Sequence, residues 1–397
     1  MNISFFQKRF GMNSNKVDIV FLINSLCEGG AARVMVTLAK AFEEEGENVT
    51  ILALTKNNFY KVPKNVKIVY LSEMNDKISG VRKLFYIPYH AWKLKSYIRK
   101  NKVLNIQSYL FRANFVNLLA SVFGAKHNVQ VANRSVVSRF FKEGISGRIN
   151  ILLTKVLYPN ANLIIHLSER MKLDFHESFN IKANEVVIYN PYDVSSILKQ
   201  SNEKVENFRF NPEKRYLLSI GRLIALKRFQ DIIHVLSFLP EDIELVMLGE
   251  GEEEKNLRLL VKKLSLDKRV HFLGQVKNPF QYMKHCEMFI SSSSIEGFPN
   301  VLVEAMLCKT AVISSDCISG PREILAPSTK STQMIVNDIE MADFGILYKV
   351  GDTEGLRKAI YMFLENSVIK ESYIEKAFEQ AKLYSVENIS TKYKSLF

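Results

Sequence analysis

Two carboxylates, Glu296 and Glu304, lie eight positions apart in the segment SSSSIEGFPNVLVE. The apolar residues before the serines predict a buried strand, and the periodicity after Pro299 predicts a helix over 300–309. A helix that starts after a strand has unpaired N–H groups and a partial positive charge, which attract phosphate. The segment therefore predicts a site for a phosphorylated sugar, whose hydroxyls the carboxylates would bind. A solvated loop glutamate and a helix-dipole glutamate would give the same pattern.

A second segment, RYLLSIGRLIALKR at 215–228, places two cations after a strand. The strand is predicted over 216–220, and Gly221 would let the backbone come close to a ligand. Arg222 and Lys227 then lie beside a helix start, where guanidinium and ammonium groups can hold a diphosphate. The alternative is an ordinary strand–helix turn with surface cations.

Two further predicted strands end in turns that contain glycine. One is LVMLGEG at 245–251, and the other is RVHFLG at 269–274. The exposed backbone of the second could read a flat base, and His271 within it is a candidate nucleotide contact. The GEG turn starts like a dinucleotide fingerprint but lacks its third glycine, and the chain has no Walker sequence.

Together these residues resemble the retaining glycosyltransferases of family 4, which use nucleotide-sugar donors and have the GT-B fold. The resemblance covers nearly the whole chain and is strongest over 216–325. Its carriers are GGAARV at 29–34, NP at 190–191, GRLIALKR at 221–228, GEG at 249–251, RVHFLG at 269–274, EGFPNVLVE at 296–304 and SSDCISGPREIL at 314–325.

The resemblance implies a role for each matching residue. Arg222 and Lys227 would bind the donor diphosphate and neutralise the leaving group, and Glu304 would bind the ribose hydroxyls. Glu296 would hold the donor sugar for front-face attack, so that Glu296, Arg222 and Lys227 form the expected catalytic set. The remaining expected donor contacts are Gly29, Gly30, Gly221, His271, Phe298, Pro299, Asn300 and Val301.

The tail of the signature, Ser319 to Glu323, looks most like bacterial transferases of GalNAc or galactose onto lipid-linked oligosaccharides. The resemblance implies transfer of a hexose or N-acetylhexosamine from a UDP-sugar, with UDP-GalNAc or UDP-galactose favoured. The acceptor would be a lipid-linked glycan in surface polysaccharide, lipopolysaccharide or glycoprotein-glycan assembly. No cofactor or metal is expected, and no Asp-x-Asp motif lies near the glutamates.

Two other functions would fit the same residues. One is a nucleotide-sugar epimerase or hydrolase of the same fold, which would turn over the donor with no acceptor. The other is a non-catalytic sugar-nucleotide-binding protein in a polysaccharide assembly complex.

Many relatives carry a histidine after the fourth strand, near the donor sugar, and this chain does not. The corresponding stretch is NIQSYLFRAN at 105–114, where Ser108 or Tyr109 could occupy that place. The departing diphosphate itself could then accept the acceptor proton, assisted by the two cations after the strand at 216–220. His166 lies in the apolar stretch ANLIIHLS, which is typical of a core histidine.

Strand and helix patterns alternate along all 397 residues, which predicts parallel α/β domains. A chain of this length is expected to form two domains. The resemblance implies the GT-B fold, with two Rossmann-like, doubly wound domains that face each other across a cleft. We expect an acceptor-binding, membrane-facing domain over 1–190, a linker over 191–214, a nucleotide-sugar-binding domain over 215–380, and a last helix over 381–397 that returns to the first domain.

The chain carries 54 Lys and Arg against 41 Asp and Glu, and the whole excess lies in residues 1–190, which hold 27 cations and 13 carboxylates. Its densest part, 80–103, has seven cations, no carboxylate and several aromatic rings. A basic amphipathic helix on an anionic membrane has this composition, as does a solvated helix face that covers the core. The residues expected at the membrane or acceptor are Arg82, Lys83, Trp92, Lys93, Lys95, Arg99, Lys100 and Arg134. Nucleic acid is not expected, because no nucleic-acid motif accompanies the charge.

No apolar run reaches the ~20 residues that span a bilayer, and the first residues lack the apolar core and cleavage site of a secretory signal. The four cysteines have no paired spacing, which favours reduced thiols. We therefore expect a cytoplasmic protein that is peripheral on the inner face of the cell membrane.

Overall fold

The computed structural model describes residues 18–27, 29–57, 59–74, 84–142 and 144–397. Its chain divides into two compact units. One comprises Met1–Val131, Asn160–Asn162 and Tyr393–Phe397, and the other comprises Ala132–Pro159 and Leu163–Lys392. Strands and helices alternate in both, as the sequence predicts.

Seven strands form the first sheet. They are β1 (Asp18–Ile23), β2 (Asn48–Ala53), β3 (Lys67–Tyr70), β4 (Asn105–Tyr109), β5 (Asn128–Ala132), β6 (Leu163–His166) and β7 (Glu185–Val187). Their order is β3-β2-β1-β4-β5-β6-β7, and β1 pairs in parallel with both β2 and β4. This is a doubly wound order, because the chain runs outwards from β1 on one side and from β4 on the other.

Six α-helices connect or follow these strands within the described residues. They are Gly30–Glu44, Ile87–Asn101, Phe111–Val122, Gly144–Leu157, Glu169–Ser178 and Val194–Ser201, with 3-10 turns at Ser138–Lys142 and Tyr158–Asn160. The last helix lies inside the expected linker 191–214. It forms there because Asp193 caps it, accepting the Ser196 N–H at 2.9 Å, and because Ile197 is buried in the core.

The second sheet also has seven strands. They are β8 (Arg215–Ile220), β9 (Ile243–Leu248), β10 (Val270–Phe272), β11 (Met288–Ser291), β12 (Ala311–Ser315), β13 (Ile339–Met341) and β14 (Ile346–Tyr348). Their order is β10-β9-β8-β11-β12-β14-β13, and only the β13–β14 pair is antiparallel. The helices are Phe229–Leu236, Glu254–Lys263, Phe280–His285, Asn300–Leu307, Pro321–Leu325, Thr353–Glu365, Ser367–Lys382 and Val386–Lys394, with a 3-10 turn at Ala225–Lys227.

Strand β8 shows how the second sheet buries both of its faces. Tyr216 and Leu218 belong to one hydrophobic cluster, whereas Leu217 between them belongs to the other. This alternation follows the two-residue period of a strand. Because β8, β9, β11 and β12 are parallel, the loops after them leave the sheet at one edge, where ligands bind in such folds. The predicted α/β class with two Rossmann-like sheets is confirmed.

The chain ends against the first sheet. The ring of Phe397 lies 5.9 Å from the ring of Phe21 in β1, and the Asn105 amide donates to the Phe397 carbonyl at 3.2 Å. Lys394 pairs with the carboxylates of Glu45 and Glu47 at 2.7 Å each. The end of the chain, Tyr393–Phe397, therefore belongs to the first unit, as the predicted return implies, whereas the residues before it up to Lys392 belong to the second.

Candidate active site

The fold brings two of the expected catalytic residues together. Lys227 ends the 3-10 turn after β8, Glu296 lies in the loop after β11, and their Nζ and Oε1 atoms are 2.5 Å apart. The Ser293 hydroxyl donates to the same carboxylate oxygen at 2.7 Å. The lysine side chain is 23% exposed and that of the glutamate 12%. The pair is therefore shielded but reachable, at the sheet edge where a diphosphate oxygen could pair with the ammonium.

The serine run before Glu296 ties these two loops to each other. The Ser292 hydroxyl donates to the carbonyls of Lys227 at 2.8 Å and Arg228 at 3.0 Å. The N–H and the hydroxyl of Ser294 both donate to the Leu226 carbonyl, at 2.8 and 3.1 Å. The sequence shows the serines but not this role, because their partners lie 64 to 68 residues away.

A third loop, which follows β12, holds the Glu296 loop from its other side. The Glu296 N–H donates to the Ile318 carbonyl at 2.8 Å, and the Ser319 N–H donates back to the Glu296 carbonyl at 3.0 Å. The Ser319 hydroxyl donates to the Gly297 carbonyl at 2.7 Å. Gly320 has a φ of 91°, and a Cβ there would lie 2.6 Å from the Gly297 oxygen, so only glycine fits.

Glycines also let the loops after β8 and β9 touch. A Cβ on Gly249 would lie 2.0 Å from the Gly221 carbonyl oxygen, and one on Gly251 would lie 2.3 Å from the Leu223 carbonyl oxygen. The Leu223 N–H donates to the Glu250 carbonyl at 2.9 Å. These glycines are needed for contact between loops, and this contact fixes the start of the segment that leads to Lys227.

Arg222 lies in the same loop as Lys227, and it is exposed. Its carbonyl accepts the Ile224 N–H at 2.8 Å, which tightens the turn between the two cations. One loop thus offers a guanidinium and an ammonium, which is enough positive charge for the two phosphates of a nucleoside diphosphate.

Glu304 lies in the helix Asn300–Leu307 and is 2% exposed. The helix begins after Pro299 with no side-chain cap, and the Leu302 N–H donates to the Pro299 carbonyl at 3.1 Å. A helix start of this kind favours a bound anion. The structure therefore supplies the predicted helix start, with a carboxylate buried beside it. Ribose binding by Glu304 remains a prediction.

The residues expected around the donor sugar contact other parts of the protein. The Phe298 ring packs 5.2 Å from that of Tyr189, and Asn300 Oδ1 accepts from the Asn190 amide at 2.7 Å and the Tyr192 hydroxyl at 2.8 Å. Pro299 is buried, and Val301 is partly buried against the core. The Asn-Pro motif at 190–191 thus anchors the start of the helix that carries Glu304.

His271 is not brought to the Lys227–Glu296 pair. Its Nε2 lies 2.7 Å from Glu244 Oε2, and its ring packs 4.9 Å from the ring of Phe208. Glu244 is near the amino-terminal end of β9, whereas the pair lies beyond the carboxyl ends of β8 and β11. A nucleotide contact by His271 remains a prediction.

Gly29 and Gly30 form the start of a helix in the other compact unit. Gly29 is the N-cap of Gly30–Glu44 and makes no side-chain cap. The Tyr60 hydroxyl lies 3.4 Å from its nitrogen and 3.3 Å from its oxygen. Both glycines are exposed, and a Cβ on Gly29 would meet nothing within 4 Å. The backbone there is open to a ligand, as the resemblance implies.

Neither residue that could replace the missing histidine is exposed to a ligand. Ser108 and Tyr109 are both 0% exposed. The Ser108 hydroxyl donates to the Gln130 carbonyl at 3.1 Å, and the Tyr109 hydroxyl donates to Gln107 at 2.7 Å. His166, also 0% exposed, contacts a glutamate at 3.1 Å, so its interpretation as a core histidine is confirmed.

Two residues of the signature tail have structural partners that the sequence does not reveal. Buried Arg322 pairs with Asp316 at 2.6 Å and with Glu340 at 2.9 Å. Glu323 accepts the N–H groups of Glu169 and Arg170, at 2.8 Å each, and so caps the helix Glu169–Ser178. Both contacts hold the loop after β12, which in turn holds the Glu296 loop.

The basic segment forms a helix, Ile87–Asn101, with an exposed aromatic side. Trp92 is 59% exposed, and Lys93 Nζ lies 5.7 Å from the Tyr89 ring and 6.0 Å from the Trp92 ring. Lys95 donates to the Phe123 carbonyl. Arg99 and Lys100 occupy the last turn, where cations interact favourably with the negative end of the helix dipole. Arg82 and Lys83 lie outside the described residues.

Arg134 lies beside the active-site loop, away from this helix in the chain. A Cβ on Gly297 would be 3.0 Å from the Arg134 carbonyl oxygen, and Arg134 itself is partly buried. A contact of Arg134 with the acceptor or with a membrane remains a prediction. Among the described residues, no helix is both long and apolar enough to cross a bilayer.

Two family models match the chain in tandem. The one described as Glycosyltransferase Family 4 matches residues 28–196, and the one described as Glycosyl transferases group 1 matches residues 200–380. The second match contains Arg222, Lys227, Glu296 and Glu304.

Relatives and solved structures agree with these models. An N-acetylgalactosamine-N,N'-diacetylbacillosaminyl-diphospho-undecaprenol 4-alpha-N-acetylgalactosaminyltransferase of Campylobacter jejuni is 29% identical over 93% of this chain and 96% of its own. An uncharacterized glycosyltransferase of Methanocaldococcus jannaschii is 30% identical over 71% of this chain and 75% of its own. The crystal structure of Anabaena HepE with UDP superimposes on this chain with a TM-score of 0.75 at 20% identity. The superposition covers 96% of this chain and 99% of the HepE chain, which shows that the two share a fold.

Proposed function

We propose that this chain, which belongs to the glycosyltransferases of family 4 and has their GT-B fold, transfers a sugar from a UDP-sugar to a lipid-linked glycan with retention of configuration. The sugar is a hexose or N-acetylhexosamine. GalNAc and galactose are the first candidates, since the Campylobacter relative is named for GalNAc transfer to a diphospho-undecaprenol-linked acceptor. The product would extend a glycan for a surface polysaccharide, a lipopolysaccharide or a glycoprotein.

The contact between Lys227 and Glu296 carries this proposal. It joins an ammonium, which suits a phosphate, to a carboxylate, which suits sugar hydroxyls, with 2.5 Å between their atoms. A ligand that holds a sugar and a phosphate a few bonds apart would satisfy both groups at once. A nucleotide sugar has this chemistry, and Arg222 adds the charge for its second phosphate.

In the proposed reaction, the bond between the anomeric carbon and the diphosphate oxygen breaks, and both electrons leave with the UDP. The acceptor hydroxyl oxygen bonds to the same face of that carbon. Its proton passes to the departing diphosphate oxygen, which balances charge without a protein base. Lys227 and Arg222 stabilise the charge that develops on the diphosphate, and Glu296 positions the sugar. We propose no metal, because these two cations supply the neutralising charge.

The acceptor is membrane-held in this proposal, and the protein is peripheral on the inner face of the cell membrane. The helix Ile87–Asn101 supports this, because it combines exposed Trp92 with Lys93 and a basic last turn. Such a helix is attracted to anionic lipid headgroups, and its amphipathic rings suit the interface.

A panel of UDP- and GDP-sugars with a lipid-linked glycan extract tests the function. The expected result is that one UDP-sugar of the panel increases the mass of the lipid-linked glycan by one sugar. Donor turnover that is as fast without acceptor would favour an epimerase or hydrolase instead. Full biological function in a Glu296→Ala variant would favour the non-catalytic binding protein.

A further inference from the structure

The helix Gly144–Leu157 turns an apolar face outwards. Four large apolar side chains on or just before it are more than half exposed: Phe141, Ile145, Leu152 and Val156. Its buried positions are Gly147, Thr154 and Leu157, of which only Leu157 is large and apolar. A surface helix ordinarily has polar residues outside and apolar residues inside. This helix largely reverses that arrangement, so its exposed side needs a partner.

The three exposed apolar residues on the helix itself share one stripe, which we call the outer face. Ile145, Leu152 and Val156 are separated by seven and four positions, and this spacing places them on the same side of a helix with 3.6 residues per turn. Arg148 and Lys155, both exposed, lie among them. Residues 144–168 contain no carboxylate. The outer face is therefore apolar and basic at the same time.

The turn that leads into this helix is firmly held. The N–H groups of Val137 and Ser138 donate to Asp174 Oδ2 at 2.7 and 3.1 Å. The Phe141 ring stacks on that of Phe179, with 6.5 Å between their centres. These contacts tie the turn before the helix to Asp174 and Phe179.

We propose that the outer face inserts into the surface of an anionic bilayer. Its apolar side chains would enter the boundary between headgroups and acyl chains, while Arg148 and Lys155 extend to lipid phosphates. The charge of the outer face favours an anionic bilayer as its partner, because anionic headgroups attract Arg148 and Lys155. A second copy of this chain, with a net charge of +13, would repel these cations. The inference rests on the proposed function, in which a lipid-linked acceptor is reached at a membrane.

Insertion differs from the contact proposed for Ile87–Asn101 in its response to salt. Attraction between a basic helix and anionic headgroups is screened as ionic strength rises. Burial of apolar side chains is not screened in this way. The protein should therefore keep a part of its vesicle binding at high salt, and the outer face should supply it.

Flotation with phosphatidylcholine vesicles that contain phosphatidylglycerol, at low and high salt, tests the proposal. Ile145→Ser combined with Leu152→Ser should lower high-salt binding at least ~10-fold, because two large apolar side chains no longer leave water. The matched control is Leu259→Ser combined with Phe238→Ser, which changes side chains 59% and 68% exposed elsewhere and should bind as the wild type does. High-salt binding that survives the Ile145 and Leu152 substitutions would overturn the proposal.

A fluorescent probe gives an independent readout. In a Trp92→Phe background, which removes the single native tryptophan, Leu152→Trp should shift its emission to shorter wavelength on vesicles. Unshifted emission counts against insertion. A wild-type dimer that the double serine variant separates would also overturn it, because the outer face would then bind a second copy.

Transfer to a water-soluble acceptor with a short lipid chain separates this inference from the function on which it rests. The double serine variant should keep that activity, since its substitutions are outside the active site. If the wild type itself transfers nothing to this acceptor or to the natural one, the proposed function fails, whatever the vesicles show.

Discussion

At the scale of the residue, the Lys227–Glu296 pair is the centre of the proposed site. With side chains 23% and 12% exposed, it lies between surface and interior, where charges interact more strongly than in open water. Donor binding should redirect the ammonium from the carboxylate to a phosphate oxygen. Glu296 can then accept hydrogen bonds from the sugar hydroxyls while it keeps the hydrogen bond from the Ser293 hydroxyl.

Removing either cation should slow transfer much more than it weakens the fold. We expect Lys227→Ala and Arg222→Ala each to lower kcat by at least ~10²-fold, the scale for loss of a group that stabilises transition-state charge. Initial rates at saturating donor measure this, and Lys376→Ala, at an exposed lysine of the helix Ser367–Lys382, is the control. Near-normal rates in both variants would show that the diphosphate lies elsewhere.

Gly249→Ala should destabilise the protein, because its Cβ would lie 2.0 Å from the Gly221 carbonyl oxygen. Overpacking of this kind typically costs about 1–3 kcal/mol. Gly46→Ala is a matched control, since Gly46 also has a positive φ, of 86°, but a Cβ there meets nothing within 4 Å. Denaturant unfolding of both variants isolates the clash. Equal losses of stability would mean that the loops after β8 and β9 separate easily.

At the scale of the element, three loops at the edge of the second sheet position Glu296. Periodicity and glycine placement predict the strands, the turn and the helix start, because those signals are local in sequence. The bonds of Ser292 to the Lys227 turn and of Asn190 to Asn300 are not predictable in this way, since each joins distant segments. The contact of His271 with Glu244 is likewise not predictable from its motif, because the two residues lie on different strands.

The cap that Glu323 forms on the helix Glu169–Ser178 should give stability a specific pH dependence. Burial raises the pKa of Glu323 above its ordinary value. At pH values between the ordinary and the raised pKa of this carboxyl, the folded wild type therefore binds more protons than the unfolded chain. Its free energy of unfolding consequently falls as pH rises through that window. Glu323→Gln removes this titration.

The stability of Glu323→Gln minus that of the wild type should thus increase with pH across the window. Urea unfolding of both proteins at a series of pH values measures the difference. A difference that decreases with pH would contradict the prediction, because it would mean that the two backbone N–H bonds favour the charged carboxylate more than burial opposes it.

The helix Ile87–Asn101 should give membrane binding its salt dependence. Neutralising Lys93, Lys95, Arg99 and Lys100 to glutamine is expected to weaken binding to anionic vesicles by about 1 kcal/mol per cation at low salt. Flotation at rising salt measures it, with neutral vesicles as the control. Unchanged binding at low salt would remove this helix from the membrane contact.

At the scale of the whole molecule, two doubly wound sheets and a chain end that returns to the first sheet are what the sequence predicts. The return rests on residues such as Phe397, whose ring meets Phe21. The helix inside the expected linker is not predicted from the sequence, because its segment is polar and has no clear apolar periodicity. A single cap and a few buried side chains stabilise it. The outer face of Gly144–Leu157 is not predicted either, since apolar periodicity does not reveal which side is covered.

The most direct test of the Lys227–Glu296 site is the mass of the lipid-linked acceptor after incubation with UDP-GalNAc or UDP-galactose, with the wild type and with Glu296→Gln. We predict a gain of one sugar in the α configuration of the donor for the wild type, and a rate at least ~10²-fold lower for the variant. An unchanged rate in Glu296→Gln, or an inverted linkage in the wild-type product, would contradict this account of the site.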